Sequence, residues 1–113
     1  MANTSRPAQT LTLTAAQDLT ADRFVTAAGA VPTAGAAVLG VTAANAKAGQ
    51  PVPVVSLGTA LVTAGAAIAA GDAIETDASG RAVPAATGRK IAVALGPAAA
   101  GELVEVFLTP LAG

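Results

Sequence analysis

Residues 48–71 read AGQPVPVVSLGTALVTAGAAIAAG and contain no charged side chain. A neutral run of this length is long enough to cross a bilayer as a helix. However, Pro51 and Pro53 each lack a backbone donor and block a helical turn, and Gly58 and Gly65 interrupt the remainder. The apolar residues are mostly alanine and valine, which gain little free energy on transfer into lipid. The run therefore predicts part of a folded core, and no membrane span.

The composition sets narrow limits on what the protein is. The chain has 113 residues, of which 32 are alanine, and its only aromatic residues are two phenylalanines. This length predicts one domain, and its alanine-rich core favours oligomerisation because alanine buries little area. Cysteine and histidine are absent, which excludes disulfides, thiolate chemistry and nearly all zinc or haem sites. The net charge of −1 predicts no nucleic-acid partner.

Short runs with a period of two indicate β-strands. Residues 10–14 read TLTLT, residues 90–95 read KIAVAL and residues 102–108 read ELVEVFL. Residues 52–55, VPVV, indicate an edge strand or the start of a strand, because a central strand rejects proline. Gly, Pro, Asn and Asp recur between these runs, as is typical of a small sandwich or barrel.

The two halves of the chain resemble each other. Similar segments follow in the same order over residues 22–57 and 72–108, so we expect an internal repeat of two β units. The predicted fold is all-β, a compact small barrel or sandwich with at most short helical turns. Residues 1–9 are expected to form a flexible, extended N-terminal arm and residues 10–113 a single β domain.

The uncharged run lies at the junction of these two units. We expect it to contain the last strand of the first unit over residues 52–57, a connector over residues 58–65, and the entry to the second unit. Its lack of charge predicts burial within the domain or against a neighbouring subunit.

Turn chemistry places the structural turns of the second unit. Glycine adopts positive φ without a steric penalty, and aspartate hydrogen-bonds its own backbone. On this basis the predicted structural turn residues are Gly71, Asp72, Asp77, Gly80 and Gly101.

No catalytic or metal-binding pattern is present. Asp72, Glu75 and Asp77 form an acidic cluster, but the spacing of a calcium loop fails from Asp72 onward. Neither Ser56 nor Ser79 has a histidine to activate it, and a Ser–Lys pair with Lys47 or Lys90 has no recognisable motif. The sequence therefore predicts no enzyme, no catalytic residue, no metal site and no cofactor.

Four motifs of the second unit together resemble a known family. They are the Gly71-Asp72-Ala73-Ile74 turn, the Asp77-Ala78-Ser79-Gly80 turn, the Gly88–Val93 strand entry, and the final segment Ala100–Leu108. The pattern resembles the small capsid decoration, or cement, proteins of tailed bacteriophages, and the similarity covers residues 10–108.

The resemblance implies a capsid protein without catalytic function. It implies a compact β domain that forms a homotrimer, binds the outside of the expanded capsid, and stabilises contacts between major capsid subunits. Its implied location is the exterior of the virion, and the cytoplasm of the infected bacterium during assembly.

Two groups of residues are candidates for contact with the capsid or with another copy. We expect residues 10–14 to add a strand either to a neighbour or to the protein's own sheet. The two aromatic residues are expected in the core, with an interface as the other possibility. The candidate contact residues are Thr10, Leu11, Thr12, Leu13, Phe24 and Phe107.

Two other classes of function stay open at this point. A small β-barrel carrier or binding module is one, although carriers need a modifiable lysine at a hairpin tip, and neither Lys47 nor Lys90 is predicted in such a turn. A self-assembling shell protein is the other.

Overall fold

A computed structural model describes residues 6–86, 88 and 90–108 of the chain. None of these residues lies in a helix, so the described part contains no helix that is long and apolar enough to cross a membrane. The strands of this part are β1 (Arg6–Thr14), β2 (Phe24–Val25), β3 (Gly40–Thr42), β4 (Pro51–Thr63), β5 (Ala73–Thr76), β6 (Ala82–Pro84), β7 (Ala92–Ala94) and β8 (Leu103–Leu108).

The strands form one antiparallel sheet that almost closes into a barrel. Its order is β2-β3-β4-β8-β7-β5-β6, and β1 pairs with β4 outside this path. The two ends of the sheet meet where the Phe24 N–H donates to the Gly80 carbonyl at 2.7 Å. The predicted compact all-β barrel is therefore confirmed.

The uncharged run folds as the longest strand of this sheet. The predicted connector over residues 58–65 is wrong, because β4 continues without a break through Gly58 to Thr63. Gly58 has a φ of 95°, and the register against β1 shifts on both sides of Gln9. Since glycine accepts this backbone conformation at little cost, the strand bends at Gly58 and does not end there.

Pro51 and Pro53 lie at positions of β4 where a missing backbone N–H group costs few of the hydrogen bonds between strands. The prediction of a strand start is confirmed, since β4 begins at Pro51. The alternative of an edge strand is wrong, because β4 pairs with β1 on one side and with β3 and β8 on the other. The Pro53 carbonyl accepts from Ala43 N–H at 2.9 Å, just beyond the end of β3, so its missing donor faces the end of that ladder.

Apolar side chains form two clusters on opposite faces of the β2–β3–β4 part of the sheet. Val25, Val52 and Val54 belong to the smaller cluster outside the barrel, which strand β1 and nearby loops help to cover. Phe24 and Val55 belong to the larger cluster inside the barrel. Successive residues thus serve different cores, as a pleated strand requires.

The same pairing plan occurs in both halves of the chain. In the first half Phe24 pairs with Val41, which pairs with Val55. In the second half Ala73 pairs with Val93, which pairs with Phe107. The repeat over residues 22–57 and 72–108 stays a prediction about the sequence. The matching order of antiparallel pairs in the two halves is consistent with it.

The first strand is longer than the sequence pattern indicated. Pairing of β1 with β4 begins at Arg6 opposite Thr59, upstream of the predicted domain boundary at residue 10. The division into a flexible arm over residues 1–9 and a domain over residues 10–113 stays a prediction. Residues 1–5 and 109–113 lie outside the described part.

Replacing Phe24 by alanine tests the importance of the barrel core. Phe24 is 1% exposed, so Phe24→Ala is expected to lower the free energy of unfolding by about 3–5 kcal/mol. Urea denaturation followed by circular dichroism measures this loss. Thr12→Ala, at an exposed strand position, is the control and is expected to change stability by less than about 0.5 kcal/mol. A loss below about 1 kcal/mol for Phe24→Ala would contradict the assignment of Phe24 to the core.

Candidate interaction surface

The acidic cluster of the second half is used to hold the backbone. Asp72 accepts from Ala69 N–H at 2.9 Å, and Glu75 accepts from Ala86 N–H at 2.8 Å. Among the described residues, no group of three or more acidic, histidine or cysteine side chains is placed to hold a metal ion. The carboxylates thus serve turns and loop ends, which is a structural role.

Asp77 organises the β5–β6 hairpin. Its Oδ1 accepts from the N–H groups of Ser79 and Arg81, each at 2.8 Å. Its Oδ2 forms an ion pair with Arg81 Nε at 2.8 Å. Gly80 completes the turn with a φ of 78°. One side chain therefore closes the whole turn, as is typical of an Asx turn.

Gly71 and Gly101 have a φ of 89° each. Their N–H groups donate at 2.8 Å, from Gly71 to the Ala94 carbonyl and from Gly101 to the Ala64 carbonyl. Both glycines are exposed at bends that return the chain into the sheet. The left-handed conformation explains the choice of glycine at these positions.

A cleft of about 470 Å³ lies at one end of the first half, lined by Asp18, Leu19, Thr20, Asn45, Ala46, Lys47 and Gln50. Its polar side chains hold backbone bends: Asp18 accepts from Ala48 N–H at 3.0 Å, and Asn45 accepts from Ala21 N–H at 2.7 Å. These contacts give the side chains of Asp18 and Asn45 a structural role in holding the backbone.

The cleft also contains a lysine at a turn. Lys47 is exposed in the connection between paired strands β3 and β4, and its carbonyl accepts from Gln50 N–H at 2.9 Å. The expectation that Lys47 lies outside such a hairpin connection is therefore wrong. Strand β3 has only three residues, which is too short to show a period of two in the sequence. The β3–β4 hairpin was therefore not predicted.

Strand β1 places residues 10–13 at an edge of the sheet. Thr10 and Thr12 are exposed, whereas Leu11 and Leu13 are half-buried. In the described part β1 pairs only with β4, so residues 10–14 add to the protein's own sheet and leave their second edge without a strand partner. Such an edge can accept another strand.

The backbone of Thr12 faces this open edge. Thr12 lies opposite Pro53, whose carbonyl points away from β1 toward Ala43. In an antiparallel ladder, opposed residues either exchange two hydrogen bonds or none. The Thr12–Pro53 pair is of the second kind, so the N–H and C=O groups of Thr12 point to the free side of β1.

Strand β8 has one face inside the barrel and one outside. Val104, Val106 and Leu108 are buried in the interior, while Leu103 and Phe107 are exposed on the outer face. The pairing register places Val93 of β7 beside Phe107. On β4 it places Leu61 opposite Glu105, with Thr59 and Thr63 opposite Phe107 and Leu103. We call the apolar part of this surface the outer apolar face; it consists of Leu61, Val93, Leu95, Leu103 and Phe107.

This face contains three of the four large hydrophobic side chains that are exposed in the described part of the chain. Exposed fractions are 37% for Leu95, 41% for Leu103 and 49% for Phe107, and the fourth residue, Leu57, lies on β4 before the bend at Gly58. Glu105 points to the same side, between Leu103 and Phe107, but is only 7% exposed. The centre of the face therefore presents little charge to solvent.

The two phenylalanines have different environments, although the sequence favours the core for both and leaves an interface as the other possibility. Phe24 is buried in the barrel, and its role as a contact residue stays a prediction. Phe107 is half exposed, so the core expectation is wrong for it. The sequence indicated that Leu103, Glu105 and Phe107 share a side of β8, but not that this side faces outward.

The fold and its surface define a small β-barrel protein that presents strand edges and an apolar face. The chain belongs to the phage cement protein family, whose family model matches residues 4–109, and it is thus a capsid-associated structural protein. No curated protein matches the chain. Its fold is similar to the N base of head fiber gp8.5 of bacteriophage phi29, with a TM-score of 0.64 and 19% identity, over 89% of this chain and 93% of that one.

Two substitutions of Asp77 separate its contacts. Asp77→Ala removes both backbone acceptor bonds and the ion pair, so the free energy of unfolding is expected to fall by about 2 kcal/mol. Asp77→Asn keeps an oxygen acceptor for the Ser79 and Arg81 N–H groups and is expected to lose less than half as much. Thermal denaturation compares the two variants with the wild type. Equal losses would show that the Arg81 ion pair, and not the backbone turn, carries the stabilisation.

Proposed function

We propose that this protein binds the outside of the expanded phage capsid as a homotrimer and stabilises contacts between neighbouring major capsid subunits. Membership of the phage cement protein family is the observation that carries this proposal. The surface of the described part supports it, because strand edges and apolar faces suit binding to other proteins.

The open edge of β1 is the proposed capsid-binding element. The backbone groups of Thr12 point to this edge, and the exposed threonine side chains keep it soluble before binding. A strand of the major capsid protein adds here by main-chain hydrogen bonds. This mode of binding explains why an exposed edge is kept, since unprotected edges otherwise favour aggregation.

A trimer makes such a contact effective. One added strand gives modest affinity, because each hydrogen bond contributes only about 0.5–1.5 kcal/mol net. Three copies held around one axis engage several capsid subunits together, and their combined avidity exceeds the affinity of each contact. Bridging several subunits is also what stabilises the shell.

One observation favours a second candidate function. The exposed Lys47 in the β3–β4 connection fits the requirement of a carrier domain for a lysine at a hairpin. The second half has Ala99 in the corresponding bend, where Ala99 N–H donates to Glu102 Oε1 as Lys47 N–H does to Gln50 Oε1. Intact-mass spectrometry of the protein from infected cells distinguishes the two functions, because a carrier bears a covalent group on Lys47 and a cement protein has the unmodified mass.

A proline at residue 12 tests strand addition. Thr12→Pro removes an N–H group that points away from β4, so the fold is expected to be retained, as prolines are tolerated on edge strands. Capsid binding, measured by co-sedimentation with expanded capsids that lack the protein, is expected to weaken by roughly tenfold or more.

Two controls accompany this substitution. Thr12→Val changes the side chain but keeps the N–H group, and is expected to bind like the wild type. Leu13→Pro removes a donor on the side of β4, and is expected to destabilise the fold. Wild-type binding by a folded Thr12→Pro protein would refute strand addition at β1, and absence of binding by the wild type would refute the proposed function.

A further inference from the structure

We infer that the outer apolar face is the surface through which copies of this chain associate with one another. This inference rests on the proposed function, since it assigns a surface to the proposed trimer. A second copy of this chain occupies the face, and the β1 edge stays available to the capsid.

The face is apolar at positions where an antiparallel sheet normally meets water. Strands with one buried and one solvated face alternate apolar and polar residues. Here the outward positions Leu103 and Phe107 on β8, Leu61 on β4 and Val93 on β7 are apolar. The polar outward positions beside them are two threonines, Thr59 and Thr63, and the nearly buried Glu105. The threonines of β1 show that the chain uses polar side chains where a strand stays exposed.

In the first half of the chain, the residues at the corresponding positions of the sheet are covered. Phe24, Val41 and Val55 occupy the ladder positions that Ala73, Val93 and Phe107 occupy in the second half. In the first half these residues are at most 6% exposed, because the second half of the same chain closes the barrel over them. The corresponding face of the second half has no such cover among the described residues.

The size of the face suits the centre of an interface. The exposed parts of Leu95, Leu103 and Phe107 amount to an apolar area on the order of 250 Å². A stable interface buries about 800 Å² on each partner, with an apolar centre and a polar rim. The face supplies that centre, and the surrounding polar surface of the sheet supplies the rim.

The electrostatics of the face suit a partner of identical sequence. A surface that meets its own copy must avoid like charges at the contact. Glu105 is the only charged residue among the outward positions of β8, and it is 7% exposed. A net charge of −1 on the whole chain adds little repulsion between copies.

Sedimentation equilibrium of the full chain tests this assignment. The wild type is expected to be a trimer, and Phe107→Asp is expected to weaken association by at least about tenfold, giving monomer at micromolar concentration. Phe107 is half exposed, so the far-UV circular dichroism of the variant is expected to be unchanged. Leu103→Asp changes a second position of the face, and it decides the matter if Phe107→Asp does not fold.

Thr33→Asp is the matched control, because it introduces the same charge at an exposed position of the first half, away from both the face and the β1 edge. It is expected to leave the trimer intact. A monomeric wild type would overturn the inference, even if that monomer still binds capsids. A folded Phe107→Asp variant that stays trimeric would overturn it too, and loss of capsid binding by that trimer would assign the face to the capsid.

Discussion

The structure depends on the pairing of β4 along both of its edges. This strand contacts β1 on one side and β3 and then β8 on the other, so it joins the two halves of the sheet without a loop between them. Its residues Val52 and Val54 pack in the outer cluster, whereas Ala60 and Val62 pack inside the barrel. The bend at Gly58 allows this change, because a regular strand would keep all four side chains on one face.

A strand that serves two cores explains how an alanine-rich chain reaches a stable fold. Each alanine buries little area, so the protein needs many close contacts between backbones. Small side chains permit these contacts: Ala64, Ala82 and Ala92 are at most 1% exposed inside the barrel. Large apolar residues are few in this alanine-rich chain. The presence of exposed leucine and phenylalanine side chains together on one outer face therefore indicates a surface that binds another protein.

Much of the secondary structure was accessible from local chemistry. The alternation of residues 10–14 and 102–108 predicted β1 and β8, and the Asp77–Gly80 segment predicted the hairpin that Asp77 closes. These features depend on neighbours along the chain. The continuation of β4 through Gly58 could not be predicted from the sequence, because glycine permits both a chain-reversing turn and a bend within a strand. Only pairing with β1 and β8 selects the bend.

The sequence by itself determined that the chain is all-β, that it lacks the residues for thiolate or histidine chemistry, and that Leu103, Glu105 and Phe107 share one side of a strand. These properties follow from composition and from the period of two. Only the tertiary structure decided that Phe24 faces the barrel core and Phe107 faces out. Alternation divides a strand into two faces, but which face is buried depends on where distant strands close the barrel.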